Sequence, residues 1–116
     1  MAKNCICHVE WSTTDLEQEK AFLWGLFGWE FQPFSETYML FSAEGGLGGG
    51  IMKVEKVQPG KSPTVYVEVE AIEPFLEQAV ELGGSVASPK SLIPEIGWFA
   101  HITDFDGNCF GLFQPQ

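Results

Sequence analysis

Basic side chains are scarce in this chain. Six Lys and Arg stand against sixteen Asp and Glu in 116 residues, a formal charge of −10 at pH 7. That balance excludes a phosphate-backbone partner, because nucleic-acid binding needs clustered cations to release counterions. It excludes an anionic membrane surface for the same reason. Long apolar runs are missing too: none reaches the roughly 20 residues of a membrane span. The N-terminal MAKNCICHVE carries no apolar h-region, so no secretory segment is expected. Cysteine is rare and odd in number, three in all, which points to reduced thiols and a cytoplasmic setting. The remainder is 45% hydrophobic and 19% charged, the composition of one globular domain large enough to bury a core without disulfides.

The cluster Cys5-Ile6-Cys7-His8 invites a metal reading. A strand over these residues puts Cys5 and Cys7 on one face and His8 on the other, so the three cannot converge on one ion. Core cysteines are the expectation.

The chain contains a weak internal repeat at an offset of 56, matching Val9 with Val65, Leu16 with Ile72, Glu17 with Glu73, Leu26 with Leu82 and Gly28 with Gly84. A first strand is expected at Cys5–Ser12. A helix follows from Leu16, with Asp15 as N-cap, Gln18 completing a capping box and Gly28 as the stop. Its apolar residues are Leu16, Phe22, Leu23, Leu26 and Phe27. The second helix spaces Ile72, Phe75, Leu76, Ala79 and Val80 along one face, tolerates Pro74 in its first turn and ends at Gly83-Gly84. Three strands follow each helix, near 29–34, 38–42 and 49–55, then near 85–87, 98–103 and 108–114. Asp106-Gly107 reads as a two-residue hairpin turn. Each half is therefore βαβββ, with modules at about 4–57 and about 62–116 of a single domain, 1–116.

Strand alternation then sorts the faces. Val65, Val67 and Val69 go under a helix, leaving Thr64, Tyr66, Glu68 and Glu70 opposite. The repeat puts Cys7, Val9 and Trp11 under the first helix, and Ile6, His8, Glu10 and Ser12 outward. Trp98, Ala100 and Ile102 are assigned to the core, Phe99, His101 and Thr103 to the polar face. A face with Tyr66, Phe99 and two histidines among carboxylates has the composition of a small-molecule pocket.

Taken together, His8-Val9-Glu10, Thr14-Asp15-Leu16-Glu17, Leu26-Phe27-Gly28-Trp29-Glu30-Phe31, Gly45–Ile51, Leu82-Gly83-Gly84 and Asp104-Phe105-Asp106-Gly107-Asn108 with Phe110-Gly111-Leu112-Phe113 resemble the vicinal-oxygen-chelate superfamily. That superfamily includes glyoxalase I, bleomycin-resistance proteins and extradiol dioxygenases. The resemblance implies an α+β fold in which two βαβββ modules form a curved mixed sheet around a cleft. It implies divalent-metal ligands at four positions, here His8, one residue of Gly48–Gly50, Thr64 and Gly111. Only His8 can ligate, so no metal site and no cofactor are expected; a displaced site that takes a divalent metal is the alternative. The glycine run lacks a phosphate loop's Gly-Lys-Ser/Thr ending.

The expected function is binding of a small polar or cationic molecule by His8, Glu10, Tyr66, Glu68, Phe99 and His101. The alternative is a lyase, epimerase or dioxygenase-type enzyme with an atypical site, its catalytic candidates being His8, Glu68 and His101. The resemblance also implies a homodimer, for which Trp24, Trp29 and Phe34 could supply the interface.

Overall fold

A computed structural model describes residues 3–58 and 62–116; the break between the expected modules falls mostly outside them. The elements are β1 (Cys5–Thr13), α1 (Leu16–Phe27), β2 (Glu30–Ser35), β3 (Tyr38–Ser42), β4 (Gly49–Lys53), β5 (Thr64–Glu68), α2 (Ile72–Glu81), β6 (Ser85–Ile93), β7 (Gly97–Thr103) and β8 (Cys109–Pro115). The order is βαβββ twice, an α+β protein.

The chain divides into two compact units, one of the described residues in 8–64 and one of Val65–Gln116 with the described residues up to Cys7. In the first unit the strand order is β2-β3-β4-β1, antiparallel except that β1 runs parallel to β4. The second repeats the plan as β5-β8-β7-β6, with β5 parallel to β8.

Local signals set the ends of α1. The Asp15 carboxylate accepts from the Gln18 backbone N–H at 3.0 Å, and Gly28 adopts φ 72° in the left-handed region that closes a helix. The second helix has Ala71 at its N-cap and no side-chain cap. Pro74, third in the helix, removes the N–H such a cap most often serves. The leading N–H, from Ile72, instead donates to the Gln114 side chain at 2.9 Å. Gly83, with φ 101°, makes the exit turn.

Each unit buries its own core. Leu23, Met39, Phe41 and Ile51 form the first, with Trp11, Leu16, Trp29 and Phe31 against them. Trp29 stacks on Phe41 at 5.0 Å, so of its two expected roles, interface ring or core packing, it takes the packing one. Val69, Ile72, Ala100 and Leu112 form the second, joined by Val67, Phe75, Leu76, Trp98 and Ile102. Trp11, Val67, Val69, Trp98, Ala100 and Ile102 reach these cores as the alternation requires. Ile51 and Ile72 are fully buried, each contributing roughly 1.5–3 kcal/mol.

Four expectations need correction. Cys5 is exposed and Cys7 only half-buried; the β1 residue packed against the first core is Trp11, further along the strand. Phe22, Leu26, Phe27 and Val80 are exposed: Phe22 lies off the flank that carries buried Leu23, and Phe27 and Val80, though on the core-facing flank, sit in the last turn of their helices. The strand expected at 85–87 runs on to Ile93; its register shifts around Pro89 are tolerated because β6 is an edge strand. The β7–β8 hairpin closes through the five residues 104–108. Asp104 Oδ1 accepts from the backbone N–H of Asp106 and Asn108 at 2.9 Å each, and this Asp-centred loop replaces a two-residue turn. The Asn108 side chain donates to the same carboxylate, which holds it below the usual range.

Candidate functional site

In the first unit, Gly50 of β4 has Glu10 of β1 on one side and Leu40 of β3 on the other. Met39 and Phe41 enter the core, so Tyr38 and Leu40 point to the opposite face, where His8 and Glu10 also lie. The Tyr38 ring crosses Gly50: a Cβ there would run into the phenol. Across that glycine the Tyr38 hydroxyl donates to Glu10 Oε1 at 2.8 Å and meets His8 Nε2 at 3.0 Å. With the phenol proton committed to Glu10, the phenol oxygen accepts from His8, which puts the imidazole proton on Nε2. Burial pushes His8 below the ordinary imidazole value and the Glu10 charge opposes that shift. His8 is therefore largely neutral at pH 7.

The second unit repeats the device with different residues. Gly111 of β8 lies between Tyr66 of β5 and His101 of β7. The Tyr66 ring covers Gly111, where a Cβ would fall inside the ring's own envelope, and its hydroxyl is 2.8 Å from His101 Nε2. Phe99 meets the His101 ring edge-on at 5.7 Å. Tyr66, expected on the polar face as a pocket residue, is packed between Gly111 and His101 and buried.

Glu68 stands apart from that pair. Its Oε2 is buried with no hydrogen-bond partner, and the Lys3 ammonium is 3.7 Å away. That separation makes an ion pair too long for a hydrogen bond. Burial first, then the Glu68 charge, pushes the Cys7 thiol up, so Cys7 is a poor thiolate.

The expected site residues thus gather as His8 with Glu10, and as Tyr66 with Phe99 and His101. The residue missing from the sequence reading is Tyr38. Its signal was available: in 38–42, Met39 and Phe41 alternate with Tyr38 and Leu40, so a core-facing pair leaves the tyrosine on the face of His8. An open depression of about 580 Å³ in the first unit, lined by Thr14, Thr37, Lys53, Val54 and Glu55, contains none of these residues.

No family model matches the chain. A curated relative from Mycobacterium bovis, named "Putative glyoxylase CFP32", is 27% identical across 93% of this chain and 44% of its own length. The chain thus spans less than half of the curated relatives it matches. Among solved structures, a glyoxalase/bleomycin resistance protein/dioxygenase superfamily member from Vibrio splendidus superposes with a TM-score of 0.69 at 15% identity, over 92% of this chain and 96% of that one. The chain has the glyoxalase fold. The Mn(II)-bound glyoxalase from Novosphingobium aromaticivorans superposes with a TM-score of 0.68 at 19% identity, over 97% of this chain and 39% of that one.

The residues at the positions where the resemblance implies metal ligands do not fit a metal. A side chain at Gly48 or Gly49 would strike the backbone carbonyl of Phe41 or Val9, one at Gly50 would strike Tyr38, and one at Gly111 would strike Tyr66. Thr64 is no usual ligand, and His8 is engaged with Tyr38. Among the described residues no group of three or more His, Cys, Asp or Glu could hold an ion. No helix among them is long and apolar enough to cross a membrane.

Proposed function

We propose that this glyoxalase-fold chain is a binding protein for a small polar or cationic molecule, held without a resident metal by the His8–Tyr38–Glu10 cluster. One observation carries the reading: a tyrosine ring fills the space over Gly50 and another the space over Gly111, positions from which the resemblance implies metal ligands. What replaces a metal there is a carboxylate, a phenol and a neutral imidazole, groups that attract and orient a cation. A ligand at Tyr66, Phe99 and His101, with Glu68 as a second carboxylate, belongs to the same proposal. So does the cytoplasmic setting, which suits a chain with few cysteines, odd in number.

Isothermal titration with small organic cations (tetramethylammonium, guanidinium and putrescine) tests this. Binding should be weakened at least about tenfold by Glu10→Gln, the scale of losing one charge-assisted contact. Unchanged affinity in Glu10→Gln together with Glu68→Gln rejects it. Stoichiometric Mn, Zn, Ni or Fe in protein purified without chelators rejects the metal-free part.

A second reading rests on His8. A neutral imidazole whose proton is set by a Tyr38–Glu10 chain has the features of a general base, which suits a lyase, epimerase or dioxygenase-type enzyme with an atypical site. Its Glu68 partner is not in that hydrogen-bonded chain; Glu10 is. Turnover that depends on His8 and survives chelation would favour this second reading.

A further inference from the structure

One charged group of the second unit is left half satisfied. The Glu68 side chain is 12% exposed, and its cation is Lys3, 40% exposed, at 3.7 Å. Oε2 of that carboxylate is buried, and no described residue donates a hydrogen bond to it. A long ion pair attracts without replacing the donors that water supplied, so burial of this oxygen is only partly compensated.

The residues before β1 explain how Lys3 comes to lie there. Asn4 adopts φ 59°, the left-handed conformation that asparagine tolerates better than most residues. Its backbone N–H donates to the Glu68 carbonyl at 2.7 Å. That bond anchors the backbone next to Lys3 beside Glu68 and leaves the lysine's four-carbon stem free to reorient. A partly exposed ammonium beyond hydrogen-bond distance is displaced at little cost.

We infer that Glu68 is a seat for a primary ammonium group, filled by Lys3 in the free chain and by an amine-bearing ligand in its place. The chemistry of the seat selects this class. A primary ammonium brings three N–H donors to an oxygen that lacks one, whereas a quaternary ammonium brings charge and no donor. Lys3 carries a primary ammonium itself, so a free amine replaces it like for like. The Glu68 charge is not spent on the present contact: after burial, it is what pushes the Cys7 thiol up. This seat rests on the reading of Glu68 as a second carboxylate for a cationic ligand, and it needs neither Glu10 nor His8.

Amine rescue of a lysine-truncated chain tests the inference. Thermal unfolding of Lys3→Ala is followed with methylammonium chloride, and with tetramethylammonium chloride at equal ionic strength. Methylammonium raises the midpoint of Lys3→Ala by roughly 4 °C at about ten times its dissociation constant. The wild type needs about tenfold more for the same rise, because its tethered lysine competes at high local concentration. Tetramethylammonium gives no rise, and adding Glu68→Gln to Lys3→Ala removes the methylammonium effect. Equal rises in wild type and Lys3→Ala, a rise that survives Glu68→Gln, a rise given as well by tetramethylammonium, or no rise at all overturns the inference. Adding Glu10→Gln to Lys3→Ala leaves the rescue in place, so failure of binding at the His8 cluster and failure of this seat are told apart. Should Lys3→Ala fail to fold by circular dichroism, the Glu68 carboxyl-carbon NMR resonance of the wild type decides. It moves saturably with methylammonium and not with tetramethylammonium; a resonance that stays put, or moves equally with both, overturns the inference.

Discussion

The two halves of this chain solve one packing problem from opposite sides. In each, a tyrosine crosses a bare glycine on the strand that runs parallel to the half's first strand, and bonds a polar group beyond it. In the first half Tyr38 comes from β3 and reaches back to Glu10 and His8 on β1. In the second, Tyr66 comes from β5 and reaches out to His101 on β7. The first cluster holds a carboxylate and the second is a phenol–imidazole pair. The folding plan therefore constrains the glycine, because the crossing ring needs its missing Cβ, and leaves open which strand supplies the ring. The helices differ in the same spirit. The second buries Ile72, packs the half-buried Phe75 and Leu76 against its core and turns Glu73, Glu77 and Glu81 outward, whereas the first shows apolar residues on nearly every side of its last two turns.

The glycines offer the strongest way to break this comparison. At Gly111 an added methyl meets the root of a buried ring that has no room to swing, so Gly111→Ala should cost about 3 kcal/mol. At Gly50 it meets the hydroxyl end of Tyr38, which can move aside, so Gly50→Ala should cost about 1 kcal/mol. Guanidinium unfolding measures both; equal losses would mean that the two crossings are equivalent. The helix starts come next. Asp15→Ala removes a formed cap and should cost about 1 kcal/mol. Ala71→Asp should gain only about 0.3 kcal/mol, because Pro74 leaves a new cap one N–H fewer to serve. A gain as large as the Asp15 loss would refute the part given to Pro74.

The smallest effect is electrostatic. His8 titrates below its unfolded value near 6.5, so its contribution to stability is present above that pH. It is lost as the pH falls through the folded value. Glu10 is the charge that opposes the lowering. Glu10→Gln should therefore move the His8 midpoint further down in an NMR titration and deepen the loss of stability at acid pH. A midpoint that rises or stays put would remove Glu10 from the electrostatics of the first cluster.

Much of the fold was legible because its signals are local. Asp15, Gln18 and Gly28 mark the ends of α1 within a few residues, and the valines of 65–69 declare their face by alternation alone. The strand expected near 85–87 runs on past Pro89, which a proline allows in an edge strand but not in a central one, and edge position is not a local property. Asp104 misled in a similar way: the Asp106-Gly107 pair looks like a complete turn until the carboxylate two residues earlier gathers the loop around itself.

By itself the sequence determined the two βαβββ halves, the residues on each strand face and the scarcity of metal ligands at the positions the resemblance marks. Periodicity and side-chain chemistry encode these directly. Only the tertiary structure decided that Tyr38 lies across Gly50 on Glu10 and His8, that Tyr66 is buried over Gly111, and that Phe22, Trp24 and Leu26 are left uncovered. The physical reason is register. Tyr38 and Glu10 are 28 residues apart, and they meet because backbone ladders align β1, β3 and β4; a shift of one residue would send either side chain to the other face.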